Sequence, residues 1–157
     1  MSKIYYLFIT FFLLLSVSYA QDTAPRQIEI VYAGTLTIDN DKYPGATIFN
    51  SDEERKVQFR HQGMDIWCDV AVLYQKTNQV KAFGEVFIQQ GDSLKMNSEF
   101  IEYNGDTKIA IAKDNVKLRN EKMTLETQEL FFDRNTQQAY YLNHGNCLLY
   151  TSPSPRT

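Results

Sequence analysis

Side chains able to do chemistry are few and scattered along this chain of 157 residues. The two histidines, His61 and His144, are far apart in sequence, and neither has an acidic partner or a second ligand at metal-site spacing. Asp65 and Asp69 share one face of a predicted strand, but two carboxylates alone are weak evidence for glycoside hydrolysis. No serine lies in a nucleophile motif. The sequence therefore predicts no catalytic residues, no metal site and no cofactor.

The two cysteines, Cys68 and Cys147, are too few for a disulfide framework. Cys68 alternates with apolar residues and is interpreted as a small buried hydrophobe. Cys147 opens the tail 147–157, CLLYTSPSPRT, whose Pro153 and Pro155 would interrupt a strand. We expect this tail to be irregular and outside the core. It also resembles a translated sequencing adapter, which leaves open that it is not native.

Residues 1–20 have the features of a cleavable signal peptide. Lys3 precedes the apolar run Ile4–Val17, and Ser18-Tyr19-Ala20 fits a cleavage site. The run is too short and wrongly flanked for a membrane span, although an uncleaved anchor is the alternative. We expect the domain to occupy residues 21–146, outside the cytoplasm. Removing Lys3 changes the formal net charge from −3 to −4, which argues against nucleic-acid binding.

The remaining chain alternates apolar and polar residues with period two, the pattern of half-buried β-strands. Gly91-Asp92 and Asn104-Gly105-Asp106 are strong turn signals between such runs. We count about ten strands, from Gln27–Tyr32 to Gln138–Leu142, and no convincing helix. The sequence therefore predicts an all-β fold.

The predicted strands recur at a nearly constant interval, as in stacked β-repeats. Each predicted unit ends at a large residue, and these recur at steps of 29 residues: Tyr74, Tyr103 and Phe132. The strand starts recur at steps of 29 and 30 residues: Val57, Val86 and Val116. We interpret the chain as repeats of about 29 residues, each holding a strand, a turn and a returning strand; a simple meander of equal hairpins is the alternative.

Several short motifs recur with these units and resemble those of the OstA/LptA family. They are Tyr43-Pro44-Gly45-Ala46, Met64 with Cys68-Asp69, Ala82-Phe83-Gly84-Glu85-Val86, Gln90-Gly91-Asp92, Asn115-Val116 and Phe131-Phe132-Asp133. The resemblance extends from about Ile28 to Leu142. It implies an open β-jelly roll of stacked antiparallel strands that carries lipopolysaccharide through the periplasm, with the acyl chains in an apolar groove. The chain is shorter than such a bridge is expected to be, so it is also interpreted as a fragment of a longer protein.

The groove that the resemblance implies would be lined by the apolar stripe of the strands. Its candidate residues are Ile66, Val70, Val72, Val80, Val86, Ile88, Leu94, Met96, Phe100, Ile109, Ile111, Val116, Leu118, Met123 and Leu125. In a plain β-sandwich the same residues would pack against one another, so the stripe is either core or groove. Phe83 and Phe87 lie on the opposite face, where they would cover a second layer or form an interface.

Cations near predicted strand starts are candidates for binding lipid phosphates at the groove rim. They are Arg55, Lys56, Lys117 and Arg119. The alternative is that they only keep a face solvated. The implied partners are lipid A, the related jelly rolls of the inner- and outer-membrane transport complexes, and further copies of the chain joined end to end through edge strands. The competing interpretation is a non-catalytic structural or adhesive β-repeat protein of the cell envelope.

Overall fold

Twelve β-strands form one antiparallel sheet in the computed structural model, which describes residues 27–121, 124–143 and 146–151. The strands are β1 (Glu29–Tyr32), β2 (Thr35–Thr37), β3 (Thr47–Asn50), β4 (Val57–His61), β5 (Met64–Cys68), β6 (Val70–Tyr74), β7 (Gln79–Gln90), β8 (Leu94–Asn104), β9 (Ile109–Arg119), β10 (Thr124–Asp133), β11 (Gln138–Asn143) and β12 (Asn146–Thr151). A single 3-10 turn, Gln75–Thr77, joins β6 to β7. The predicted signal peptide lies outside the described residues.

The four long strands β7 to β10 each take part in two walls of the sheet. The second half of β7 pairs with β5, whereas its first half pairs with β6. Between the halves, β7 has an extra residue between Phe83 and Val86, and β9 has one between Lys113 and Lys117, opposite Asn97 and Phe100 of β8. A bulge adds one residue to a strand and bends it. We call the part built on β1, β4 and β5 the first wall, and the part built on β2, β3, β6 and β11 the second wall.

The repeat is evident in the order in which the chain visits these walls. Residues 57–68 form a hairpin of the first wall, and residues 70–83 form a hairpin of the second. The pair recurs in residues 86–98 and 100–113, and again from residue 116 to residue 143. The predicted repeat and the predicted open β-jelly roll are confirmed.

The core lies between the two walls and is built from residues that face each other across adjacent strands. One row crosses the first wall: Phe59, Ile66, Ile88, Met96, Leu118 and Leu125. Another crosses the second wall: Leu73, Val80, Tyr103, Ala110, Phe132 and Ala139. All twelve side chains are buried in one apolar cluster. The alternation seen in the sequence is thus the alternation between this cluster and the outer face.

The observed register corrects the prediction that the apolar stripe lies on one face. Five of its members pair with outward residues of neighbouring strands: Val70, Val72, Phe100, Ile109 and Ile111. Phe100, for example, lies opposite Phe83 on the outside, while the next residue, Ile101, is fully buried inside. In β8, opposite the bulge in β7, the buried positions change from Met96 and Ser98 to Ile101 and Tyr103, so a period-two count carried through this point assigns Phe100 to the wrong face. In β9 the buried residues are Ala110 and Ala112, and the larger Ile109 and Ile111 alternate with them on the outside.

Two further expectations are changed by the register. The predicted repeat places Tyr74 in register with Tyr103 and Phe132, but in the structure the residue in that row is Leu73. Tyr74 is thus one residue away from the position that the repeat assigns to it. Strand β12 begins at Asn146 and continues into the segment 147–157, which we expect to be irregular, and it pairs along the whole of β11. Gln138–Leu142 is therefore not an edge. The backbone N–H and C=O groups on the outer side of β11 pair with β12, because backbone pairing does not require an alternating apolar pattern in the added strand.

Candidate functional site

A cavity of about 600 Å³ opens where β9, β10 and β11 meet. It is lined by Asn115, Val116, Lys117, Leu125, Glu126, Thr127, Gln128 and Tyr141. Val116 and Leu125 belong to the first wall, and Tyr141 comes from the second. The cavity therefore lies at the last strands of the jelly roll, where the space between the walls reaches the surface. Its volume is within the usual range of small-molecule sites, roughly 300–1,000 Å³.

The inward direction of the cavity side chains depends on one bulge, in β9. Asp114 and Asn115 both have positive φ, at 62° and 53°, and after them Val116 faces Thr127 across the ladder. The register of β10 shifts between Thr127 and Glu129. Backbone in the left-handed region bends the strand sharply. This bulge marks the boundary between the two walls beside the cavity.

The mouth of the cavity carries one exposed ion pair. Lys117 Nζ lies 2.6 Å from Glu126 Oε1, and their side chains are 55% and 67% exposed. The hydrogen bond from Lys117 lowers the pKa of Glu126. Such a pair contributes little to stability because water screens it. Lys117 can therefore leave Glu126 for another anion at the mouth of the cavity with little loss of free energy.

The ends of the two walls are joined by a polar cluster that we call the clasp: the buried His61, Tyr103 and Arg134 with the half-buried Gln90. The Tyr103 hydroxyl lies 2.8 Å from His61 Nδ1 and accepts a bond of 2.8 Å from Arg134 Nη1. Arg134 also donates from Nε to Gln90 Oε1 at 3.2 Å, and Nη2 donates to the carbonyl of Gln62 at 3.2 Å. Burial raises the pKa of Tyr103, so its phenol stays protonated. The clasp holds the walls together where the strands end.

Most of the predicted groove residues that face inward are packed in the core. Ile66, Val80, Val86, Ile88, Met96 and Leu118 are buried, and Leu94 packs partly buried against the same cluster. Val116 and Leu125 are the predicted groove residues among those that line the cavity. Met123 lies outside the described residues. The stripe is thus core along most of its length and meets a cavity at one end.

The four predicted rim cations are not brought together. Lys56 lies at the first wall's outer surface, 2.6 Å from Asp69 and 2.9 Å from Glu85. Arg55 stacks over the ring of Tyr32 at 4.0 Å. Arg119 lines a separate recess of about 280 Å³ between two turns. Lys117 alone of the four lies at the cavity.

The sequence did not reveal the clasp or the contribution of Tyr141. His61 was read as isolated because its partner Tyr103 is 42 positions away. No local pattern in the sequence marks Arg134 as buried. In the described part of the chain no group of three His, Cys, Asp or Glu residues could hold a metal ion. No helix there is long and apolar enough to cross a membrane.

The two walls, the repeated hairpins and the end cavity define an open β-jelly roll. The sequence profile of the OstA-like protein family matches residues 26–150, and the chain belongs to this family. The resemblance predicted from the motifs is thereby confirmed.

One similar solved structure is that of LptH from Pseudomonas aeruginosa, described as the LptA-homologous periplasmic component of the conserved lipopolysaccharide transport device. Its TM-score is 0.62 at 17% identity, over 82% of this chain and 96% of that one. At this identity the likeness shows the fold alone. No curated protein sequence matches the chain.

Proposed function

We propose that this protein is a periplasmic carrier of lipopolysaccharide that shields acyl chains between its two walls. Membership of the OstA-like family and the fold shared with LptH support this assignment. The observation that carries it is the cavity of about 600 Å³ at the last strands, because it connects the surface with the apolar interior. Carriage of this kind needs no reactive group.

The cavity suggests where the lipid is held. Val116, Leu125 and Tyr141 supply apolar surface, and removing an acyl chain from water onto such surface is favoured by roughly 25 cal/mol per Å². Side chains deeper in the core are already close-packed, so a longer part of the lipid enters only when the walls move apart. We place the acyl ends at β9 to β11 for this reason.

Lys117 is the cation best placed to meet a lipid phosphate. It lies at the cavity, and its ion pair with Glu126 is exposed enough to exchange for a phosphate oxygen. Arg55, Lys56 and Arg119 lie elsewhere, so we do not assign them to this rim.

End-to-end association belongs to the same proposal. Strands β1 and β2 lie at the amino-terminal end of the sheet and expose Ile30, Val31 and Leu36; Ile38, just after β2, is 65% exposed. Strand β12 lies at the other end of the strand order. Unpaired strand edges with apolar side chains can receive a strand from a neighbour. We propose that copies of this chain, or related jelly rolls of the membrane complexes, join at these ends.

Site-specific photocrosslinking tests lipid carriage. A benzophenone amino acid replaces Tyr141 or Leu125 in the cavity, and a matched one replaces Phe100 on the outer face. The purified variants are irradiated with lipopolysaccharide and analysed by gel shift. We expect adducts at Tyr141 and Leu125 and none at Phe100.

Adducts of equal yield at Phe100, or none at the two cavity positions, would contradict the proposal. The second result would favour a structural β-repeat protein with a closed core. Circular dichroism of each variant establishes that the sheet is intact.

A further inference from the structure

A second pocket, of about 450 Å³, lies on the outer face of the first wall, away from the cavity at β9 to β11. It is lined by Tyr32, Arg55, Lys56, Gln58, Trp67 and Phe87. Tyr32, Gln58, Trp67 and Phe87 are successive register partners on β1, β4, β5 and β7. Since neighbouring strands are about 4.8 Å apart, this row extends about 14 Å across the sheet.

The aromatic side chains of this pocket do not contribute to the core. Trp67 and Phe87 point outward, and their rings lie nearly parallel, with centroids 5.5 Å apart and an interplanar angle of 28°. Both are only partly buried. Large aromatic surface left in a pocket on the water-facing side of a sheet indicates a binding site when polar groups converge on it.

The polar groups around the aromatic row are already held in place. Gln58 Nε2 donates to Asp65 Oδ1 at 3.0 Å, and Lys56 bonds both Asp69 and Glu85. Arg55 lies over the ring of Tyr32, whose hydroxyl donates to Asp52. Groups fixed in this way lose little conformational freedom when a ligand binds.

The chemistry of the pocket selects among ligands. Three carboxylates, of Asp52, Asp69 and Glu85, surround the two cations, so a polyanion gains nothing from the local charge. An acyl chain would cover these polar groups without bonding them, which is costly. A sugar ring fits both requirements, because its C–H face packs on aromatic rings and its hydroxyls both donate and accept hydrogen bonds.

We propose that this outer pocket binds an uncharged saccharide, stacked on Trp67 and Phe87 and hydrogen-bonded by Arg55 and Gln58. Two sources share this chemistry: the neutral outer sugars of lipopolysaccharide and the amino-sugar glycan of a cell wall. The site is separate from the lipid cavity, and the proposal does not depend on lipid carriage.

Trp67 is the only tryptophan of the chain, so its fluorescence reports on this pocket directly. The full chain is titrated with N,N′-diacetylchitobiose, with a neutral outer polysaccharide released from lipopolysaccharide, and with intact lipopolysaccharide. We expect a saturable change in emission with at least one of the two acyl-free saccharides, and the one that binds identifies the source.

Phe87→Ala keeps the reporter and removes the second ring, and it should weaken binding about tenfold or more. Phe83→Ala is the matched control, because Phe83 lies on the same strand and outer face and packs on Phe100 at 5.0 Å, outside the pocket. It should leave the titration unchanged. Arg55→Ala should also weaken binding. Because Arg55 is exposed, this variant should fold, and it tests the pocket if Phe87→Ala does not fold.

No saturable change with either acyl-free saccharide up to about 10 mM would overturn the proposal. A response to intact lipopolysaccharide alone, or equal effects of Phe87→Ala and Phe83→Ala, would overturn it as well. Because two probes lack acyl chains, such a failure is distinct from failure of the crosslinking at Tyr141 and Leu125.

Discussion

Arg134 Nη1 donates a hydrogen bond of 2.8 Å to the phenolic oxygen of Tyr103, and both side chains are buried. The two residues belong to successive repeat units of the second wall, and Arg134 reaches from there to Gln62 and Gln90 of the first wall. A turn residue thus joins the walls at their ends. The cavity lies between the walls at β9 to β11, whereas at the clasp the walls are joined by hydrogen bonds.

Loss of the clasp arginine should destabilise the fold. Arg134→Met keeps much of the apolar stem but removes three hydrogen bonds of a buried cation, so we expect the free energy of unfolding to fall by about 2–3 kcal/mol. Urea denaturation measures it. Arg60→Met is the control, since Arg60 is half exposed in its pair with Asp65 and should change the value by no more than about 1 kcal/mol. Similar effects of the two substitutions would contradict a structural role for the clasp.

The bulge in β7 requires glycine at position 84. Gly84 has φ of +76°, and a Cβ there would lie 2.5 Å from Asp69 Oδ2 and 3.0 Å from Asp69 Cβ. Gly84→Ala should therefore lower the free energy of unfolding by about 2–3 kcal/mol. Gly63→Ala is matched in backbone angle, at φ +77°, but its Cβ meets nothing within 4 Å, so about 1 kcal/mol is expected. Equal losses in thermal or urea unfolding would show that the contact with Asp69 is unimportant.

Cys68 should make stability fall at alkaline pH. Burial raises the pKa of its thiol to about 12, against a model-compound value of 9.0. Above pH 9 the unfolded chain therefore loses this proton while the folded chain keeps it, and stability decreases as pH rises. The difference in unfolding free energy between a Cys147→Ser variant and a Cys68→Ala/Cys147→Ser variant, measured from about pH 8 to 10, should shrink. A constant difference would argue against a buried, protonated thiol.

Asp133 should make the stability of the fold decrease as the pH falls into the acid range, whereas Cys68 makes it decrease as the pH rises. The backbone N–H of Asn135 donates to its carboxylate at 2.8 Å and lowers its pKa. Asp133 thus stabilises the turn above the carboxyl pKa of the unfolded chain, and this contribution is lost as pH falls through the lower folded value. Asp133→Ala should destabilise the protein at neutral pH and have a smaller effect near pH 2.

Asn104 provides the matched control for that experiment. It occupies the same place in the preceding unit and accepts from the N–H groups of Asp106 and Thr107, but it carries no titrating proton in this range. Asn104→Ala should destabilise the protein without a comparable change between neutral and acid pH. A similar acid dependence for both substitutions would contradict the assignment to Asp133.

Local patterns in the sequence determined much of the fold. Alternation predicted the strands, Asn104-Gly105-Asp106 predicted a turn, and the spacing of Val57, Val86 and Val116 predicted the repeat. Each of these valines is buried at the start of a first-wall segment. These features depend on residues close together along the chain, and the motifs within them also predicted the family.

The tertiary structure alone decided which side chains face inward after each bend, and which distant residues meet. Opposite the bulge at Gly84-Glu85, the buried positions of β8 change from Ser98 to Ile101, so Phe100 faces outward although a regular count places it in the groove. Contacts such as Tyr103 with His61 join segments that no local pattern connects. Period two records only that neighbours alternate, whereas the face they alternate toward is set by long-range pairing of the strands.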